Sequence, residues 1–304
     1  MVVIRRRIDA AHELSSLQDL ANRVWLHDLA LLNFEASFGG LAWDRGGSGR
    51  CRVFERDGAF VGWARLTPGY SRIRASGVRD EAPPSLVWQV DPTDTDPGEV
   101  LDAVVDWAES RSEEIFTTAY NDGDLLAEEL LTRRGFVRDA TEPYSGYLRH
   151  RLESLTAVPV PSGYRFVTMM ELSDLELRAE VHRFAWDGST RTAADVEATM
   201  ATWPYKPEFD FVAVTDDGTP AASVLCWYDP SYVYGEIEPV GTAPAHRGHG
   251  VGAALIRFGL RCLLEAGVSE VVVGARADND HPVPRRLYEA VGFTGVSTQI
   301  IVRP

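Results

Sequence analysis

Lysine is nearly missing from this sequence: Lys206 stands alone beside 29 arginines. Acidic side chains outnumber basic ones 45 to 30, and the deficit is shared evenly. Residues 1–152 hold 18 basic and 25 acidic groups and the remainder 12 and 20, so the two parts carry −7 and −8. With no basic domain or tail, binding to nucleic acid through phosphate neutralisation is excluded. Cysteine is scarce as well. Cys51, Cys226 and Cys262 have no metal-ligand spacing, and an odd number in apolar surroundings predicts buried, reduced thiols. No stretch approaches the roughly 18 to 20 apolar residues of a membrane span, and Met1-Val-Val-Ile-Arg-Arg-Arg7 lacks the apolar core of a signal peptide. There is no Asn-x-Ser/Thr acceptor. These absences predict a cytoplasmic protein, a monomer or homodimer, with neither a nucleic acid nor a membrane as partner. Metal is not expected either, since His12-Glu13 and His182 lack partners at zinc-ligand spacing, and no Gly-x-Ser-x-Gly nucleophile turn occurs.

What is present divides into two. A chain of 304 residues should form about two domains of ordinary size. Alternating apolar and polar residues flank Asp57-Gly58 within Cys51–Leu66 and Asp217-Gly218 within Asp210–Trp227, and each pattern is a hairpin signal. Each hairpin leads to a strand, a long helix, a strand and a short helix ending in Gly-Phe, at Phe136 and Phe293. The offset is 160 residues for the turns and 157 for the Gly-Phe pairs, which reads as an internal duplication. Thr156–Gly163, rich in Pro and Gly, serves as linker, giving domains 1–153 and 154–304.

In the second copy the run Val240-Gly-Thr-Ala-Pro-Ala-His-Arg-Gly-His-Gly-Val-Gly252 reads as a strand end, a glycine-rich turn and the start of a helix. A helix beginning there aims unpaired backbone N–H groups at whatever lies over the turn. Glycines at 248, 250 and 252 let the backbone wrap a diphosphate, and Arg247 adds a charged donor fork. The turn is not a P-loop, which needs Gly-Lys-Ser/Thr, and it lacks the Gly-x-Gly-x-x-Gly register of a dinucleotide fold. In the first copy the matching turn, Asp91-Pro-Thr-Asp-Thr-Asp-Pro-Gly-Glu99, puts carboxylates where phosphates would sit. Its Asp94-x-Asp96-x-Gly98 lacks the further ligands of a calcium loop, so an acidic first turn favourable to the helix dipole is expected.

The spacing Arg247-x-x-Gly250-x-Gly252 resembles the Gln/Arg-x-x-Gly-x-Gly/Ala signature of the GNAT superfamily of N-acetyltransferases. Asn279, Leu287-Tyr288 and Gly292-Phe293 are similar to its second hallmark, although nine residues separate Asn279 from Tyr288, more than the family pattern has. The tandem arrangement resembles the mycothiol synthase group. The resemblance implies an α/β fold of two tandem GNAT-like domains, each a mixed, mostly antiparallel sheet flanked by helices and splayed between its fourth and fifth strands. It implies acetyl-CoA as co-substrate, held by Val240, Gly241, Thr242, Arg247, Gly248, His249, Gly250, Val251, Gly252 and Asn279. It also implies a small-molecule amine as acceptor, attacking directly in a ternary complex. Glu236 is the first candidate for the base that takes the amine proton and Glu238 the second; strand alternation puts both on one face. Tyr288 would protonate or hydrogen-bond the departing thiolate. A mycothiol synthase-type enzyme and a non-catalytic acyl-CoA sensor are the alternatives. The first copy, which has Leu130-Leu131 in place of Leu-Tyr, is expected to be a structural or acceptor-shaping pseudodomain.

Overall fold

The computed structural model describes residues 4–7, 10–25, 51–73, 79–112, 114–141, 145–155, 159–186, 188–276 and 281–304. Asn279 lies outside the described residues. The first half contributes β1 (Ile4–Arg7), α1 (Ala10–Trp25), β2 (Cys51–Arg56), β3 (Ala59–Thr67), the small hairpin β4 (Tyr70–Ile73) and β5 (Arg79–Ala82), and β6 (Ser85–Val90). It continues with α2 (Pro97–Glu109), β7 (Thr117–Asn121), α3 (Leu125–Arg133), β8 (Val137–Arg138) and β9 (Ser145–Arg151). The second half contributes β10 (Tyr164–Thr168), α4 (Met169–Leu172), α5 (Leu175–Ala185), α6 (Ala193–Met200), β11 (Asp210–Thr215) and β12 (Pro220–Tyr228). It ends with β13 (Tyr234–Thr242), α7 (Val251–Glu265), β14 (Glu270–Arg276), α8 (Val283–Ala290) and β15 (Thr294–Arg303).

Both Asp-Gly pairs turn hairpins as their torsions require. Asp57 and Gly58 take φ of 55° and 79°, the two left-handed positions of the tight turn that matches strand twist, and Gly218 takes 89°. The strands join into one mixed sheet ordered β1-β2-β3-β6-β7-β15-β9-β14-β13-β12-β11-β10, with β8 on β15. The two halves exchange strands in this order. β9 pairs antiparallel with β14 over its whole length, while β15 crosses to pair Gln299–Val302 with Thr118–Asn121 of β7. At the centre β9 and β15 pair with each other.

Helices cover both faces. On one face α2 buries Val100, Leu101, Val104 and Val105 against Phe54, Trp88 and Tyr120, and α7 buries Leu255, Ile256, Leu260 and Leu263 against Phe211, Val224, Ile237 and Val271. On the other, α1 sets Leu17, Leu20 and Val24 over Trp63 of the first half and Tyr147, Tyr234 and Val272 near the junction. Each such side chain withdrawn from water is worth about 1.5 to 3 kcal/mol. Cys51 and Cys226 are buried thiols and Cys262 is a half-buried one. No described helix is long and apolar enough to cross a membrane.

Candidate active site

β13 leaves its neighbours in a way that opens the sheet. Its parallel pairing with β14 covers only Tyr234–Glu236 against Glu270–Val272, and beyond that the strands diverge. On the opposite edge the register with β12 slips: Ile237 faces Cys226 and Val240 faces Val224, so Glu238 and Pro239 stand against Leu225 alone. A proline has no N–H to give a ladder, and an extra residue bends its strand. The indole of Trp227 donates to the Glu238 carbonyl at 2.6 Å and pins this bulge. The Val240–Thr242 backbone therefore faces a wedge-shaped opening on one side while still paired to β12 on the other.

At the end of β13 the chain turns through Pro244–His246 and enters α7. Gly248 and Gly250 hold φ of 80° and 77°, and a Cβ at either would meet nothing within 4 Å. The glycines are thus required by torsion, beneath open space, rather than by a crowded wall. Gly252 differs, because a Cβ there would sit 2.5 Å from Thr242 Oγ1. Val251 is fully buried, which fixes the first turn of the helix, and no side chain caps it. The uncapped N–H groups and the positive helix end fit an anion, such as a diphosphate, better than any group the chain supplies. His249 is exposed on the same loop. Arg247 is exposed but folds back onto backbone: its Nε donates to the Thr242 carbonyl and its Nη2 to the Ala185 carbonyl, each at 3.0 Å.

Two acidic residues of β13 and a phenol of α8 are the side chains expected to carry chemistry here. Glu236 is 3% exposed and lies opposite Trp227 in the ladder. Glu238 sits at the bulge itself, half-buried, so the alternation expected to pair it with Glu236 on one face does not govern it. Tyr288, buried on α8, packs its ring edge against Phe293 at 5.7 Å. Burial, and then the Glu238 carboxylate, hold its phenol well above the usual tyrosine pKa. α8 and the bulge of β13 thus bring Tyr288 and Glu238 into one electrostatic neighbourhood. A phenol so displaced is a hydrogen-bond donor that keeps its proton, because a thiol near pKa 8.5 is much the stronger acid.

The face opposite α7 is walled by α5 and α6. Of the aromatics that cluster in the sequence, Tyr205 donates to Asp210 at 3.1 Å and packs on Trp227, and Tyr232 donates to Asp19 of α1 at 3.1 Å. Tyr234 is buried beneath α1, and Trp203 is 40% exposed. Trp186, which composition did not single out, stacks on His182 with centroids 4.3 Å apart. His182 bonds to Ser189 Oγ at 2.8 Å, and burial, with Arg191 and Arg178 nearby, lowers its pKa to about 3. It stays neutral wherever the protein is folded at ordinary pH.

Residues 174–293 match the acetyltransferase (GNAT) family. They are a GNAT domain. A mycothiol acetyltransferase of Catenulispora acidiphila is 31% identical over 149 residues, 46% of this chain and 47% of that protein. Another, of Nocardiopsis dassonvillei, is 29% identical over 221 residues, 67% of this chain and 65% of its own. The chain spans about half the length of the first of these relatives, 47%. Among solved structures, a GCN5-related N-acetyltransferase from Sphaerobacter thermophilus superposes with TM-score 0.62 at 18% identity, covering 99% of this chain and 95% of that one. A tandem GNAT protein from the clavulanic acid biosynthesis pathway gives 0.60 at 17%, covering 99% and 98%. The GNAT fold therefore accounts for both halves of the chain, in tandem.

Proposed function

We propose that the protein is an acetyl-CoA-dependent N-acetyltransferase acting on a primary amine of a small molecule, with its chemistry in residues 154–304 and a degenerate domain in 1–153. The observation that carries this is the parting of β13 from β14 after Glu236, ahead of the uncapped start of α7, with Glu238 and Tyr288 in one electrostatic neighbourhood. Acetyl-CoA, when bound, supplies a thioester acyl group. Backbone N–H groups of Gly248–Gly252 would meet its diphosphate, and those near Val240 and Thr242 its arm and carbonyl. An aliphatic amine of pKa near 10 is only about 0.1% neutral at pH 7, so a base must take its proton. Glu236, buried on the side of Trp227 and the α5–α6 wall, is the first candidate. Burial, and then Glu238 beside it, keeps the Tyr288 phenol protonated, and Tyr288 donates to the leaving sulfur. Asn279 belongs to the same cofactor set by its place in the motif. The names of the relatives favour an amine on a small thiol-bearing molecule as acceptor.

Calorimetric titration with acetyl-CoA, followed by thiol release with a panel of small amines, tests this. One site per chain together with release for some amine supports the proposal. Absence of binding sinks it, and binding without release for any amine makes the protein an acyl-CoA sensor.

A further inference from the structure

α5 touches both sides of the site. Its first turn is anchored by the buried pair Arg178–Asp210, at 2.8 Å. At its end, Ala185 and Trp186 rest on the bare Cα of Gly241, where any Cβ would overlap the Trp186 ring and the Ala185 Cβ. His182 stacks on the indole, with planes 22° apart. The third tie is Arg247, whose guanidinium spans two carbonyls from different elements, Thr242 at the end of β13 and Ala185 at the end of α5.

We infer that Arg247 is a positioning residue that latches the acceptor wall to the cofactor loop, and that the diphosphate is left to backbone N–H groups of that loop. The inference rests on the acetyl-CoA reading above. An arginine has five N–H donors in a fixed plane, and the two that meet these carbonyls hold that plane against the wall and the strand end, so that it cannot turn fully to a phosphate without giving up both bonds. With the latch closed, a ligand that orders residues 247–252 also orders the end of α5. By reciprocity, ordering of that wall tightens the loop's hold on its ligand. The acceptor side is thus completed when acetyl-CoA is in place.

The test compares wild type with Arg247→Gln in hydrogen exchange across residues 179–192, with and without acetyl-CoA, and in acetyl-CoA affinity at low and high salt. In the ligand-free variant, exchange at the end of α5 should quicken about tenfold or more for loss of charge-assisted hydrogen bonds. Acetyl-CoA should no longer slow it, and affinity should fall with salt as steeply as in wild type. A clearly shallower salt dependence would mean that a phosphate-bound cation had been removed. That result, or unchanged exchange at α5, overturns the latch. Gly241→Ala, which keeps the guanidinium but pushes Ala185 and Trp186 away from β13, should loosen the same segment; protection equal to wild type there would count against it. If wild type binds no acetyl-CoA, the functional reading fails, while the ligand-free exchange comparison still decides the latch.

Discussion

The turn after β6 and the turn after β13 occupy the same place in the two halves, each between a strand and a long helix, and each must satisfy the orphan N–H groups of a helix start. In the first, the chain brings its own anions. Asp96 accepts from Glu99 N at 3.0 Å, Asp91 from Thr93 N at 2.9 Å and Asp94 from Asp96 N at 2.9 Å. Arg56 then neutralises Asp94 through Nε at 3.1 Å and Glu99 through Nη1 at 2.8 Å. In the second turn no carboxylate intervenes and no side chain caps α7. The short helices repeat the contrast, since Asp124 caps α3 whereas α8 starts at Pro282 without a side-chain cap. Buried Leu131 also stands 157 positions before Tyr288, at the same point of the repeat. One fold thus becomes scaffold or receptor according to whether its helix ends are closed from within.

The largest effect should follow from making the second turn resemble the first. In Gly250→Glu a carboxylate would stand at the mouth of α7 and acetyl-CoA binding should become undetectable by calorimetry. The left-handed torsion adds only about 1 to 2 kcal/mol of strain, so a melting curve should still show a folded protein. Undiminished binding would remove the distinction between the turns. Next in size, Tyr288→Phe gives the second half the apolar character of Leu131. Turnover should drop by about a hundredfold or more, as for loss of one preorganised donor, with acetyl-CoA affinity nearly unchanged. Equal loss of both would assign Tyr288 to packing alone.

Two smaller effects belong to the first half. Burial raises the Asp124 carboxyl to about 6 despite bonds from Ala127 and Leu126 N–H. The folded state therefore takes up this proton at a higher pH than the unfolded chain. The stability linked to it is fully present below about pH 4 and is lost as pH rises through about 6. Asp124→Asn should flatten that slope, by up to about 3 kcal/mol between pH 4 and 7, in denaturant titrations at several pH values. A slope identical to wild type would place the carboxyl in water. Smallest of all, Asp96→Ala should cost about 1 kcal/mol, or roughly 2 to 4 °C in melting temperature, and leave one acetyl-CoA site per chain. A second site would show that a single carboxylate had been closing the first turn.

Local chemistry made much of this legible. The Asp-Gly turns, α7 with its apolar stripe, and the helix before Gly292-Phe293 all depend on neighbours in sequence, so their periodicity and turn residues announce them. The bulge at Glu238-Pro239 also has a local cause, because proline cannot complete a ladder. The exchange of β9 and β15 was not legible, since a period of two tells which faces a strand has and not which strand lies beside it. Arg247 was legible as a charge near the turn, but its partner at Ala185 lies 62 residues earlier and is a backbone carbonyl, which leaves no mark in sequence. Trp186 was overlooked because its role depends on a glycine far along the chain.

The exchanged strands set an order of events during synthesis. β9 is made midway and must wait for β14, and β7 is made before any of its β15 partners. Until residues 294–303 emerge from the ribosome, Thr118–Asn121 present an unpaired edge in a half whose other elements are already complete. Residues 1–153 produced alone would keep that edge permanently and should aggregate, and residues 154–304 alone would expose β14 in the same way. The repeat is therefore inherited as two copies and folded as one.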